Sequence, residues 1–218
     1  MVNNMKPDLT KLCKHYSQTY HQYGFNSKGA DWGSKSKHEL RILSMINALG
    51  EGAFANCSVL DVGCGYGILH SLLKRHYPDI KLSYYGIDPC IEVIDYAKSS
   101  SDPEAEFLCC DIQSFSPPIL FDTVFCCGIF TKKASMTDDE MYELLSCFFA
   151  LLKKTKPSSV SFNTMSPFCD RHDHDLFYPS YERILGMLID SFGYSLSDFV
   201  LSNSHLKYEM IWRFSVER

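Results

Sequence analysis

Residues 58–67, Ser-Val-Leu-Asp-Val-Gly-Cys-Gly-Tyr-Gly, limit the possible folds more than any other stretch of the chain. Val59, Leu60 and Val62 form a short apolar run, the pattern of a buried strand. Gly63, Cys64 and Gly65 then make a turn too tight for large side chains, and residues 68–74 continue as a helix. A strand that stops at a glycine turn and opens a helix offers backbone N–H groups and the positive end of a dipole to a ligand. Gly63 and Gly65 let that ligand lie against the main chain itself. The stretch therefore predicts a nucleotide-type cofactor site on an α/β sheet.

Ahead of it, residues 1–33 are polar, aromatic and irregular, with Tyr16, Tyr20, Tyr23, Phe25 and Trp32, and residues 9–20 have the pattern of a helix. Segment 1–35 is expected to act as a loose cap or as a lid over the ligand, and residues 36–218 as the domain proper. Residues 36–49 predict a firmer helix, because Ile42, Met45, Ile46 and Leu49 recur at i, i+3, i+4 and i+7 and Gly50 ends it. Arg41 near the start of this helix is expected to be solvated by default, the alternative being that it faces the pocket.

Beyond the glycine turn, residues 81–87 predict a second strand ending at Asp88, with Pro89 opening the next helix where proline is favoured. Residues 106–110 predict a third strand ending at Asp111, and residues 121–127 a fourth ending at Gly128. Thr137 and Glu140 form a capping box for a long helix. Lys153, Lys154 and Lys156 fall at that helix's negative end, so this basic cluster needs no nucleic acid to explain it. A fifth strand at 159–163 and a helix at 181–192 follow, and 198–201 and 208–215 read as two closing antiparallel strands. Alternation of strand and helix implies a parallel sheet with helices on both faces and a ligand at the carboxyl ends of the strands. Asp61, Gly63, Asp88, Asp111, Cys127 and Gly128 all fall at that edge.

The 218 residues suit one domain, and a net charge of -5 argues against a nucleic-acid or anionic-membrane binder. Cys64, Cys109, Cys110, Cys126 and Cys127 fall in expected buried positions, which suits reduced thiols in the cytoplasm. The N-terminus has no signal-peptide core and no apolar run reaches membrane-spanning length.

Asp88 can accept two hydrogen bonds from a ribose, a feature common to NAD and S-adenosylmethionine (SAM) sites. A dinucleotide turn prefers a third glycine three residues after the second, where this chain has Ile68, and Asp61 would repel a pyrophosphate. The run from Val59 to Gly67 resembles motif I of the class I SAM-dependent methyltransferases. The resemblance extends to Tyr-Gly-Ile-Asp88-Pro89, Cys-Cys-Asp111-Ile112 and the fourth strand ending Cys-Cys127-Gly128, and covers residues 32 to the end. Gly29-Ala-Asp-Trp-Gly-Ser, Cys-Gly-Ile-Phe130, Ser-Phe-Asn163-Thr and Tyr208-Glu209 are also similar to a bacterial branch of small-molecule methyltransferase-like proteins, which implies no particular substrate.

The family resemblance implies a Rossmann-like, seven-stranded, mostly parallel sheet of order 3-2-1-4-5-7-6 with an antiparallel last strand. It implies that Gly63, Cys64 and Gly65 contact the methionine part of SAM, with Asp61 near its amino group and Asp88 and Pro89 at the ribose. Asp111 and Ile112 would read the adenine, and Cys127 and Gly128 would border the sulfonium. The expected activity is methyl transfer to a small-molecule acceptor, leaving S-adenosylhomocysteine (SAH), by a monomer or homodimer. Trp32, Phe130, Asn163, Tyr208 and Glu209 are the candidate acceptor contacts, Glu209 being equally suited to an ion pair. No catalytic base is evident, and none is needed where the nucleophile's proton leaves late. The run 170–175, with His172 and His174 among aspartates, is expected to be a solvated loop or a lid rather than a metal site. The alternatives are a SAM-binding protein without turnover and an NAD-dependent oxidoreductase.

Overall fold

The structure, a computed structural model, describes residues 7–203 and 206–217. Helices α1 (Thr10–Tyr23) and α2 (Lys35–Leu49) precede β1 (Cys57–Val62), α3 (Ile68–His76), β2 (Leu82–Asp88), α4 (Ile91–Ser100) and β3 (Glu106–Cys109). Then come β4 (Thr123–Phe130), α5 (Asp138–Thr155), β5 (Ser159–Met165), α6 (Tyr181–Phe192), β6 (Leu196–Ser202) and β7 (Glu209–Val216). The seven strands form one sheet in the order β3-β2-β1-β4-β5-β7-β6. All neighbours from β3 to β5 pair in parallel, and β7 runs antiparallel to both β5 and β6. This is the Rossmann-like arrangement expected from the sequence.

The sheet is covered on both faces. One core joins Leu60, Val62, Phe130 and Trp212 to the apolar stripes of α5 and α6, with Leu12 of α1 added at its edge. The other joins Val59, Phe125 and Ile211 to α2 and α3. Strand β1 contributes to both, as a central strand must, which is why its sequence reads as a continuous apolar run. Ser34 caps α2 by accepting from the Lys37 N–H, and the Thr137–Glu140 capping box forms at the start of α5 with both reciprocal bonds.

Four local expectations change. Proline 89 does not open α4, because the helix starts at Ile91 with Cys90 as its cap, leaving Pro89 in the bend after β2. Strand β4 does not stop at residue 127 but continues to Phe130 through a bulge. There Cys126 pairs with Phe162 and Phe130 with Thr164, so four residues of β4 span two of β5. Cys109 is exposed and Cys110 half-buried, since β3 is an edge strand. Arg41 is buried, not solvated, and its guanidinium pairs with Glu209 of β7. All ten cysteines are free thiols.

Candidate functional site

Along the carboxyl ends of β1, β2 and β4 lie two chambers that share Tyr16, Gly63, Asp88 and Ile129. The first, of about 660 Å³ including its open mouth, lies over the glycine turn and the β4 bulge. The second, of about 570 Å³, is an apolar slot beside Pro89, Cys110 and Ile112, closed by Leu9, Leu12 and Cys13.

The turn between β1 and α3 is shaped by glycine. Gly63 and Gly65 have φ of 72° and 51°, in the left-handed region. A Cβ on Gly63 would stand 2.6 Å from Ile129, so the turn is pressed against the bulge of β4. Three of its N–H groups, however, are taken within the protein. Those of Gly63 and Cys64 donate to the Ile87 carbonyl at 2.8 and 3.1 Å, and that of Gly65 donates to Asp88 Oδ2 at 3.1 Å. The sequence expectation of free amides at this turn is therefore corrected: β2 ends directly beside it and takes them.

What the two chambers offer instead is acceptors. Asp88 receives a second bond from the Cys90 N–H at 2.9 Å, and burial still holds its carboxyl up at about 6 against those two bonds. Asp61, deep below the turn, accepts from Tyr84 Oη at 2.5 Å, and burial pushes it up to about 7. Among the described residues, neither chamber is lined by a lysine or an arginine. The thiol of Cys127 is raised to about 12 by burial and that of Cys64 well above its ordinary value, so both stay protonated and are poor nucleophiles.

The bulge in β4 removes Gly128 from the ladder, and the side chain of Asn163 supplies the missing acceptor: Gly128 N–H donates to Asn163 Oδ1 at 2.8 Å. Asn163 Nδ2 in turn donates to Glu209 Oε2 at 3.2 Å. Both oxygens of Glu209 accept from the guanidinium of Arg41, which lies 3.6 Å over the centre of the Trp32 ring. A chain of buried contacts thus runs from the bulge through β5 and β7 to the wall of the first chamber.

Of the residues expected at the site, Asp61, Gly63, Cys64, Gly65, Asp88, Cys127, Gly128 and Trp32 line the first chamber, and Pro89 and Ile112 the second. Asp111 stands beside the second chamber between Cys110 and Ile112, with Oδ1 capping the turn by accepting from the N–H groups of Gln113 and Ser114. Phe130 is in the core against Phe148 and Phe162. Asn163 and Glu209 are buried in the network below the chamber. Tyr208 is exposed next to Lys207. The 170–175 loop folds on itself and on its neighbours: His172 stacks on Tyr178, and Lys132 joins Asp175 to Asp31.

Sequence reasoning missed His38 and Tyr66, which line the first chamber. Tyr16 and Tyr20, named with the segment expected to be a cap or a lid, line it too. Leu9, Leu12, Cys13, Tyr16 and Tyr20 recur at helical spacing, an apolar stripe that had to cover something.

A family model described as "Methyltransferase domain" matches residues 59–155. Malonyl-acyl-carrier-protein O-methyltransferase 1 of Ilyobacter polytropus is 26% identical over 101 residues, 46% of this chain and 36% of that protein. The chain matches about a third of the length of such curated relatives. Among solved structures, N-methyltransferase NodS from Bradyrhizobium japonicum WM9 in complex with SAH superposes with a TM-score of 0.63 at 15% identity, covering 94% of this chain and 100% of that one. Magnesium protoporphyrin IX methyltransferase from Synechocystis PCC 6803 with bound SAH gives 0.62 at 16% identity, covering 94% of both. The strand order and the glycine turn beside Asp88 are those of the Rossmann-like methyltransferase fold, and residues 59–155 are similar to the methyltransferase-domain family.

Proposed function

We propose that the protein transfers the methyl group of SAM to a small-molecule acceptor and releases SAH. One observation carries this reading: the glycine turn keeps its amides for β2, and the chambers beside it present two carboxylates and no lining cation. Such a site repels a pyrophosphate and favours an ammonium, a sulfonium and ribose hydroxyls.

In this reading the apolar slot takes the adenine, flanked by Pro89 and Ile112, with Asp111 at its exocyclic amine. Asp88, where the two chambers meet, accepts from the ribose. Gly63, Cys64 and Gly65 underlie the methionine part, Asp61 lies on the side of its ammonium, and Cys127 and Gly128 border the sulfur. SAM, when bound, supplies a methyl group activated by a sulfonium. The protein's part is alignment and exclusion of water. Tyr16 and Tyr20 of α1 cover the turn, which supports segment 1–35 as the lid of a domain at 36–218. No helix among the described residues is long and apolar enough to cross a membrane, and we place the enzyme in the cytoplasm, acting as monomer or homodimer without nucleic acid.

Calorimetric titration with SAH and with NADH tests the reading. SAH is expected to bind and NADH not to; binding of NADH alone would overturn it.

A further inference from the structure

We propose that Trp32, His38 and Tyr66 form the acceptor subsite, that it takes a flat, uncharged acceptor carrying an N–H or O–H, and that the His38 imidazole accepts the hydrogen bond from that group. The inference deepens the methyltransferase reading and rests on it.

The three side chains come from separate parts of the chain and meet in the first chamber. The His38 ring stacks on Trp32, with centroids 5.4 Å apart and planes 27° apart, and stands edge-on to Tyr66. Trp32 leans on the β4 bulge so closely that a Cβ on Gly128 would stand 2.7 Å from its ring. Gly128 is the residue we assign to the border of the sulfonium, so this aromatic wall faces the point of transfer. Planar walls of this kind favour planar ligands.

His38 is buried, and its Nδ1 is 3.3 Å from Tyr66 Oη. Among the described residues no partner is given for its Nε2, and that atom is not among the enclosed unpartnered ones, so it is open to the chamber. A polar nitrogen open to a chamber can take its partner from a ligand there. With Nδ1–H donating to Tyr66, Nε2 is left as an acceptor, the tautomer the proposal requires.

The charges nearby argue against an anionic acceptor. Arg41 is the cation closest to this wall in the chain of contacts, and Glu209 occupies its guanidinium. Lys132 is held between Asp31 and Asp175. Arg41 on its own helix acts on His38 and Tyr66 touches it, while Asp61, Asp88 and Cys127 from β1, β2 and β4 line the same chamber. Burial and then Arg41 hold His38 down at about 3, so it is neutral at working pH and reads a donor rather than a carboxylate. A malonyl-type carboxylate, named for the curated relatives, would find no countercharge here.

In the transfer step the acceptor's lone pair forms the new bond to the methyl carbon as the carbon–sulfur bond breaks and its electron pair stays on sulfur. The hydrogen bond to His38 Nε2 orients the acceptor, and the proton is lost to solvent from the methylated product.

The test uses SAH-loaded protein and three probes in saturation-transfer NMR and calorimetry: benzimidazole, N-methylbenzimidazole and benzimidazole carboxylate. Benzimidazole is expected to bind about tenfold more tightly than either of the others. His38→Asn and Tyr66→Phe are expected to erase the preference for benzimidazole over its N-methyl form while SAH affinity stays within about twofold. Equal or tighter binding of the carboxylate, a preference that survives both substitutions, or no benzimidazole binding overturns the proposal. Loss of SAH binding by the unmutated protein would instead overturn the methyltransferase reading, and this subsite with it.

Discussion

The two halves of the cleft are built by opposite means. On the side of β1, β2 and β3, the framework is backbone and short range: the Gly65 N–H meets Asp88 only 23 residues on. On the side of β4, β5 and β7, it is a relay of buried side chains, with Arg41 meeting Glu209 across 168 residues. A strand–turn–helix positions its ligand as soon as it forms. The second half exists only after α2, β5 and β7 have all docked on the sheet. In the proposed reading the first half holds the cofactor and the second supports the acceptor wall.

The largest expected effect breaks the second half. Glu209→Ala leaves a buried guanidinium unpaired and Asn163 Nδ2 without its acceptor, and is expected to cost about 3–5 kcal/mol in denaturant unfolding. Replacing both partners, Arg41→Met with Glu209→Leu, should recover most of that stability yet leave Trp32 without its support, so acceptor turnover stays impaired. A single Glu209→Ala variant that unfolds at the wild-type midpoint would mean the relay does not hold this half together. Asp88→Ala strikes the first half and should do the reverse. It removes a charged acceptor for two ribose hydroxyls, so SAH affinity should fall about 10–100-fold in calorimetry, while folding stability drops less than for Glu209→Ala. Equal SAH affinity in the two proteins would remove Asp88 from the site.

The same contrast explains what the sequence could disclose. Asp61, Gly63, Gly65 and Asp88 were legible because a tight turn, a left-handed φ and a strand end each leave a residue type in the chain. Alternation of elements gave a parallel sheet, while the seven-strand order came from the family resemblance. Arg41 was not legible, because whether a helix arginine is solvated or buried depends on a strand at the far end of the chain. Phe130 looked like a cleft residue because strand β4 seemed to end at residue 127, and only the bulge turns it into the core. His38 carries no local signal; its role depends on which rings the fold stacks around it. Tyr16 and Tyr20 were readable in the stripe of α1, whose placement left a loose cap and a lid over the ligand equally open.

The smallest predicted effect sharpens the comparison through pH. Burial raises Asp61 to about 7 and Asp88 to about 6, while the bond from Tyr84 and the amides of Cys90 and Gly65 work the other way. A raised carboxyl binds its proton more tightly in the folded state than in the unfolded chain. The contribution of these two groups to the stability of the ligand-free protein is therefore greatest below the ordinary carboxylate range and is lost as pH rises through about 4 to 7. Ribose hydroxyls and an ammonium prefer the ionised forms, so binding expels protons and SAH affinity should rise over the same interval, by at most about tenfold per pH unit for each group. On the other side of the cleft His38, held down at about 3, stays neutral in the folded protein and leaves the SAH slope unchanged, while its protonation in the unfolded chain lowers stability with or without SAH as pH falls through about 6.5. Melting curves with and without SAH across about pH 5 to 8 should thus converge at the acid end and separate at the alkaline end. A separation independent of pH would show that the ligand does not rest on these two carboxylates, and the division of the cleft into an acidic cofactor half and a neutral acceptor half would fail with it.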